Sequence, residues 1–385
     1  MNPQDDFFEH VVLQHRPIYD AQRRLTALDL VVTDGDGTPV AAADWLAALR
    51  RHTDEPCALD SDALVLHVRD GDDLRRLAAA PAPAGAVIAV DADIPRDASC
   101  SDAMQVLFEN RSRFWCERGA PEPAWPVGQP VWAHTAHSGR ALITGVDRME
   151  DLDAAFQRGA AASHGWPLHN PLRPADPKTA SDVKLALELM QAVDRGADIG
   201  DIESLVQRSP TLTFRLMAFL NTSARGRAPR DASLRHALMM LGMAQLRQWV
   251  SLLVSAAAGS AATMPMVHAS LWRANFMRAV GAAVGPSMPA TDMFVCGAFS
   301  LLDQLLGREL RALLGDLQLT DEVQACLVGG DGPLQPYLAL ARAVEGTQAL
   351  DMAQAVEATM LTAGEINRAI VQAAGSMLAS VLAPP

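Results

Sequence analysis

The chain has 385 residues and only two lysines, Lys178 and Lys184. A lysine-dependent chemistry in its first half is therefore excluded. Aromatic residues are few, 5% of the sequence with two tyrosines, so there is little material for the base-stacking platforms that single-stranded nucleic acids need. The five cysteines, at 57, 100, 116, 296 and 326, form no CxxC pair. An odd, scattered set makes a poor disulfide framework and fits free thiols in a reducing compartment. Long hydrophobic runs are missing too. The most apolar stretch, from Trp249 to Ala262, is too short and too rich in Ala, Gly and Ser to span a bilayer. The opening MNPQDDFFEH is acidic where a signal peptide carries basic residues. These features predict a soluble, cytoplasmic protein that does not engage a membrane.

Several catalytic signatures are also missing. The sequence has no GxxxxGK[ST], no GxGxxG after a strand, no GxSxG, no HExxH and no His-Asp dipeptide. Phosphate cradles, nucleophile elbows and the commonest zinc-hydrolase helices are thereby excluded. GDGT at 35–38 reads as a turn, and DGDG at 34–37 lacks the closing Glu of a calcium loop.

What remains is a chain able to bury large cores: 49% hydrophobic and 20% charged, with 26 Gly and 24 Pro. The net charge of −13 argues against a general nucleic-acid binder. It is unevenly spread. Residues 1–176 hold 16 basic and 27 acidic side chains, whereas the remainder holds 16 and 18. Two units with different surfaces are expected, divided at the polar, Pro-rich segment 169–182 into residues 1–175 and 176–385.

The first half alternates short β-rich runs with helical spacing. Strands are expected at 10–14, 25–32, 63–68, 85–92, 130–136 and 141–146, and helices at 39–51, 72–80 and 149–160. That alternation implies parallel β/α units. The second half shows helical periodicity almost throughout, with expected helices including 233–259, 267–284, 292–306, 321–328, 334–345, 350–361 and 364–381.

Among the ten histidines, His134 and His137 (HTAH) could hold a metal with His164 or His169, although a pair of ordinary loop or strand histidines explains them equally simply. Between Arg208 and Arg247 lie seven arginines and one acid, Asp231. Arg225, Arg227 and Arg230 form a candidate partner or anion surface, since guanidinium forks suit phosphates and carboxylates. A solvated loop is the plainer reading.

Residues 181–250 resemble the HDOD domain. The string DIESLVQRSPTLTFRLMAFLN carries Ser209-Pro210 where the family has Asp-Pro, and Asn221-Thr222 where it has Asn-Ser. Ala237 through Leu241-Gly242 fits the next helix, and LWRANFMRA (271–279) and GAFSLLDQLLG (297–307) look like its continuation after an EAL-type domain. The resemblance implies an all-helical fold related to HD phosphohydrolases without their metal ligands. FSLLD at 299–303 agrees, with apolar side chains where a His-Asp pair would stand.

The first half is similar to an EAL domain, the cyclic-di-GMP phosphodiesterase fold. QHRPIYDAQRRLTALDLVV (14–32) resembles its opening, and GVDRMEDLDAAFQRGAAASHGWPLHNP (145–171) its closing helix and Gln-Gly-aromatic signature. The resemblance implies a truncated or degenerate TIM-barrel-like α/β domain, since about 175 residues fall short of the ~250 of a full (β/α)₈ barrel. The departures fall on the functional positions. The signature Glu becomes Asp29 and the following Arg becomes Thr33. The metal-binding Asp-Asp pair has only Glu122 nearby, the late Glu becomes Asp147, and the Gln before Gly becomes His164. A two-metal phosphodiesterase needs several carboxylates converging on its ions. The resemblance therefore implies no hydrolysis, no bound metal and no cofactor. The expected function is non-catalytic signal transduction through protein partners, with homodimerisation left open. Neither cyclic-di-GMP nor nucleic acid is expected as a partner. The alternatives are a non-hydrolysing sensor of a cyclic dinucleotide or other phosphate ligand, an unrecognised enzyme using Asp29 with His134, His137 and His164, and a nucleic-acid role for the arginine cluster.

Overall fold

The computed structural model describes residues 7–52, 64–79, 87–90, 94, 97–109, 113–117, 141–143, 146–157, 160, 162–168, 177–207, 238–239, 242–244, 246–248, 250–251, 264–285, 288–306, 309–314, 319–346 and 349–381. The chain forms two compact units, residues 1–170 with 340–383, and residues 171–339 with 384–385. The division expected at 175/176 does not anticipate that residues 340–383 return to the first unit.

The first unit begins with β1 (Val11–Tyr19) and β2 (Leu25–Asp34), an antiparallel pair in register from Val11↔Asp34 to Ile18↔Ala27. Asp20 makes their turn: its carboxylate accepts the N–H groups of Gln22 and Arg24, and Arg23 takes the left-handed conformation at φ 59°. There follow α1 (Ala42–His52), β3 (Leu64–Val68), α2 (Gly71–Ala79), β4 (Val87–Val90), α3 (Ser101–Glu109), β5 (Arg113–Glu117), β6 (Ala141–Ile143), α4 (Met149–Gln157) and β7 (Ala162–His164). From β2 to β7 every neighbouring pair is parallel, and β7 meets β1 antiparallel, closing a seven-stranded barrel. Two strands, β5 and β7, and the helix α3 were not expected from the sequence. The expected strand at 130–136 lies outside the described residues. Ile18, Ala27, Val65, Val87, Ala89 and Ala162 pack together as the barrel's apolar centre.

Barrel closure is narrow, since only Ile18 and Tyr19 of β1 pair with β7. The N-terminal part of β1 therefore needs other partners for its free edge. Among the described residues of the remaining chain the helices are α5 (Pro177–Asp194), α6 (Ile199–Gln207), α7 (Met264–Val284), α8 (Ala290–Phe299), α9 (Leu302–Leu306), α10 (Leu310–Leu314), α11 (Asp321–Gln324), α12 (Gln335–Glu345), α13 (Ala349–Thr359) and α14 (Ala363–Val381), with short helical pieces between 238 and 251. Helix α14 supplies the partner. Buried Asn367 donates its amide to the carbonyls of Phe8 and Val11, both at 2.7 Å, and accepts the Leu13 N–H at 3.1 Å. Glu9 accepts the N–H of Gly364, near the start of α14, at 3.1 Å.

The second unit is helical among its described residues, as periodicity predicts. Its helices α7 and α8 pack closely because Gly297 has no side chain: a Cβ there would lie 2.5 Å from the carbonyl carbon of Arg273. Buried Arg273 donates to Ser300 Oγ at 3.1 Å, and Arg247 bridges Asp194 of α5 and Asp292 of α8 at 2.8 and 3.1 Å. His268, buried in α7, has its pKa lowered to about 4 by burial.

Two outcomes are expected. Asn367→Leu removes the side-chain partner of two backbone groups on the β1 edge, Val11 O and Leu13 N–H, and of the Phe8 carbonyl, and should destabilise the first unit by about 2–4 kcal/mol, read from its denaturant-unfolding transition. The second concerns acid. Between pH 6.5 and about 4 the unfolded His268 binds a proton that the folded one refuses. Its contribution to stability is therefore complete above pH 6.5 and lost as pH falls through that window. Lowering the pH from 7 to 5 should cost about 2 kcal/mol through this residue, and His268→Gln should flatten that part of the pH–stability curve.

Candidate functional site

Three strands aim one side chain each at the barrel interior. Asp29 shares the inner face of β2 with Ala27. His67 follows Val65 by two residues on β3 and stands opposite Ala89. His164 ends β7, two residues after Ala162 and opposite Ile18. His67 and His164 thus sit near the carboxyl ends of parallel strands, the end at which barrels of this type build their sites.

The side chains meet. His164 Nε2 lies 2.7 Å from Asp29 Oδ2, and His67 Nε2 lies 2.9 Å from the same oxygen. One donor atom from each residue lies within 4.8 Å of the others. Asp29 and His164 are buried, with His67 partly accessible. Burial alone would raise the Asp29 pKa. The positive character of His67 and hydrogen bonds from His164 and His67 outweigh that effect, so the carboxyl is held well below the usual carboxylate range. Asp29 Oδ1 and His164 Nδ1 are buried without a hydrogen-bond partner among the described residues.

The surrounding backbone fixes His164. Gly165 adopts φ +141°, and its N–H donates to Pro17 O at 3.1 Å while Val146 N–H donates to His164 O at 3.2 Å. Trp166 then donates its indole N–H to His15 O at 3.1 Å and sets its ring edge-on to the His15 imidazole. Burial lowers the His15 pKa to about 3, against a smaller opposing pull from Asp29, so this ring is neutral at physiological pH. Arg16 is paired with Asp29 in the β1/β2 register and so shares its face; its Nε is buried without a partner among the described residues.

Asp29 and His164 therefore come together as one site. Thr33, half-buried further along β2, pairs with Val12 and bridges to Pro39 outside this cluster. Asp147 is exposed in the segment before α4. Glu122, His134, His137, His169, Arg225, Arg227 and Arg230 lie outside the described residues. Sequence reasoning assigns Asp29 and His164 no third donor from β3. His67 supplies the third donor, because β3 places it on the same inner face. Its signal was present in ALVLHV, where the single polar residue falls on the inward parity of an otherwise apolar strand. Two imidazoles and one carboxylate can hold one divalent ion. They are not the carboxylate-rich set of a two-metal phosphodiesterase, and no hydrolytic step through such a pair of ions is derived.

Residues 178–306 match the HDOD domain family, so the chain carries an HDOD domain alongside the α/β barrel unit. The chain is 28% identical over 207 residues to the cyclic di-GMP phosphodiesterase CdgJ of Vibrio cholerae, covering 54% of this chain and 48% of that protein. It is 27% identical over 151 residues to the uncharacterized protein YuxH of Bacillus subtilis, covering 38% and 37%. The matches thus span about half or less of these relatives. No solved structure matches. No helix among the described residues is long and apolar enough to cross a membrane.

Gly165 offers a direct check on how the site is held. In Gly165→Ala the new Cβ would lie 2.4 Å from Val146 O, on backbone that cannot step aside. The variant should lose roughly 2–4 kcal/mol of stability, visible as a lowered thermal midpoint.

Proposed function

We propose that this protein acts in cyclic-di-GMP-related signalling, in the cytoplasm, as a regulator that works through protein partners rather than by turnover. In this reading the barrel is a degenerate EAL domain and the HDOD domain is the helical partner-binding half. The HDOD match and the similarity to CdgJ support the signalling role. One observation carries the non-hydrolytic part: the single group of converging ligand-type side chains among the described residues contains one carboxylate, Asp29. In-line attack on a phosphodiester by the two-metal route needs two ions about 3.5–4 Å apart, each neutralised by carboxylates. One carboxylate and two imidazoles, which bring no negative charge, leave a second dication uncompensated inside a barrel of low dielectric.

A second reading, a sensor that binds a cyclic dinucleotide or other phosphate ligand without cleaving it, is favoured by Arg16. This guanidinium shares the inner face with Asp29, and its Nε is unpartnered among the described residues.

Incubation of the purified full-length chain with cyclic-di-GMP and either Mg²⁺ or Mn²⁺ tests the proposal. The expected result is no linear or mononucleotide product above the protein-free control. Multiple turnovers per protein molecule would contradict it. Saturable binding in the same samples without product would select the sensor reading.

A further inference from the structure

We propose that Asp29, His67 and His164 form a mononuclear site for a late first-row divalent metal ion of the Zn²⁺ type. The inference is independent of the signalling role and makes no claim about turnover.

Geometry comes first. With metal–ligand bonds of about 2.0–2.2 Å, donors on one tetrahedral ion stand about 3.3–3.6 Å apart. The two imidazole nitrogens already lie 2.7 and 2.9 Å from the same carboxylate oxygen. With all three donor atoms within 4.8 Å of one another, side-chain shifts on the order of 1 Å bring them to the spacing of a shared coordination sphere. Both imidazoles present Nε2 to the centre, so both rings can offer a lone pair to one point once their protons leave. The three residues stand on three different barrel strands, which hold them more firmly than loops would.

Electrostatics comes next. Asp29 is wholly buried, and its Oδ1 has no hydrogen-bond partner among the described residues. A buried, unsatisfied carboxylate oxygen is costly. A bound dication compensates the charge of Asp29, and its own water can donate to Oδ1. His67, with 17% of its side chain exposed, offers an entry path for the ion.

The donor set then selects the metal. Imidazole nitrogen is a borderline donor that suits Zn²⁺, Co²⁺, Ni²⁺ and Fe²⁺, whereas Mg²⁺ demands oxygen ligands and keeps most of its water. Two nitrogens and one oxygen leave room for water or a ligand atom in a fourth position, the arrangement of open rather than structural zinc sites.

The test is a titration of chelator-treated full-length protein with Co²⁺, followed by displacement with Zn²⁺. The wild type should take up one Co²⁺ per chain, develop the visible absorption of low-coordinate Co²⁺, and lose it stoichiometrically to Zn²⁺. Its thermal midpoint should rise with Zn²⁺ and not with Mg²⁺. Asp29→Asn and His164→Gln, which keep size and polarity, should each weaken Co²⁺ binding at least 100-fold. His67→Asn gives a third reading should either of those fail to fold. The proposal is overturned if the wild type takes up no stoichiometric Co²⁺ or Zn²⁺, or if the folded variants bind as tightly as the wild type.

Discussion

A carboxylate with no access to water cannot stay ionised alone, and Asp29 is such a carboxylate. Its charge is maintained by two imidazoles that reach the same oxygen from strands far apart in sequence. That requirement ties β2, β3 and β7 to one point. The barrel must close for residues 29, 67 and 164 to meet, and closure depends on β1, which runs antiparallel between β2 and β7.

Closure in turn depends on the far end of the chain. β1 pairs with β7 through only two residues, so most of its outer edge would face away from any ladder. Asn367 answers two of those backbone groups, and the Phe8 carbonyl just before the strand, with one side-chain amide. The C-terminal helix is thus part of the barrel unit, which explains why residues 340–383 group with residues 1–170. Gly165 completes the arrangement at the other end: its backbone can pass Val146 only without a Cβ, and the adjoining His164 is oriented by that passage.

Much of this was legible in the sequence where periodicity is strong. The β-rich runs 10–14 and 25–32 mark β1 and β2, although the first stops five residues short of Tyr19, and the 3.6-residue spacing of Leu, Met and Ala marks the helices of the second half. The strand β7, only Ala162–His164, is too short and too polar to register as a strand. β5, RFWCE, carries as many charges as a surface segment. His67 is the one polar residue of ALVLHV, a run that registers as a strand through its apolar residues. Resemblance to the EAL domain singles out Asp29 and His164 as altered positions, and the histidine inventory also offers His164 as a metal ligand with His134 and His137. What no local pattern encodes is their meeting with His67, because it arises from closure of the sheet over more than 130 residues. The same applies to Asn367, whose helix is plain from periodicity while its partners lie at the opposite end of the chain.

One carboxylate and two imidazoles meet at a single point inside this barrel, the proposed single-ion site. Crystals grown with Zn²⁺ and measured on both sides of its absorption edge test it most directly. The account predicts one anomalous peak within about 2.2 Å of Asp29, His67 and His164. A pair of peaks about 3.5–4 Å apart, or no peak among these three side chains, would contradict it.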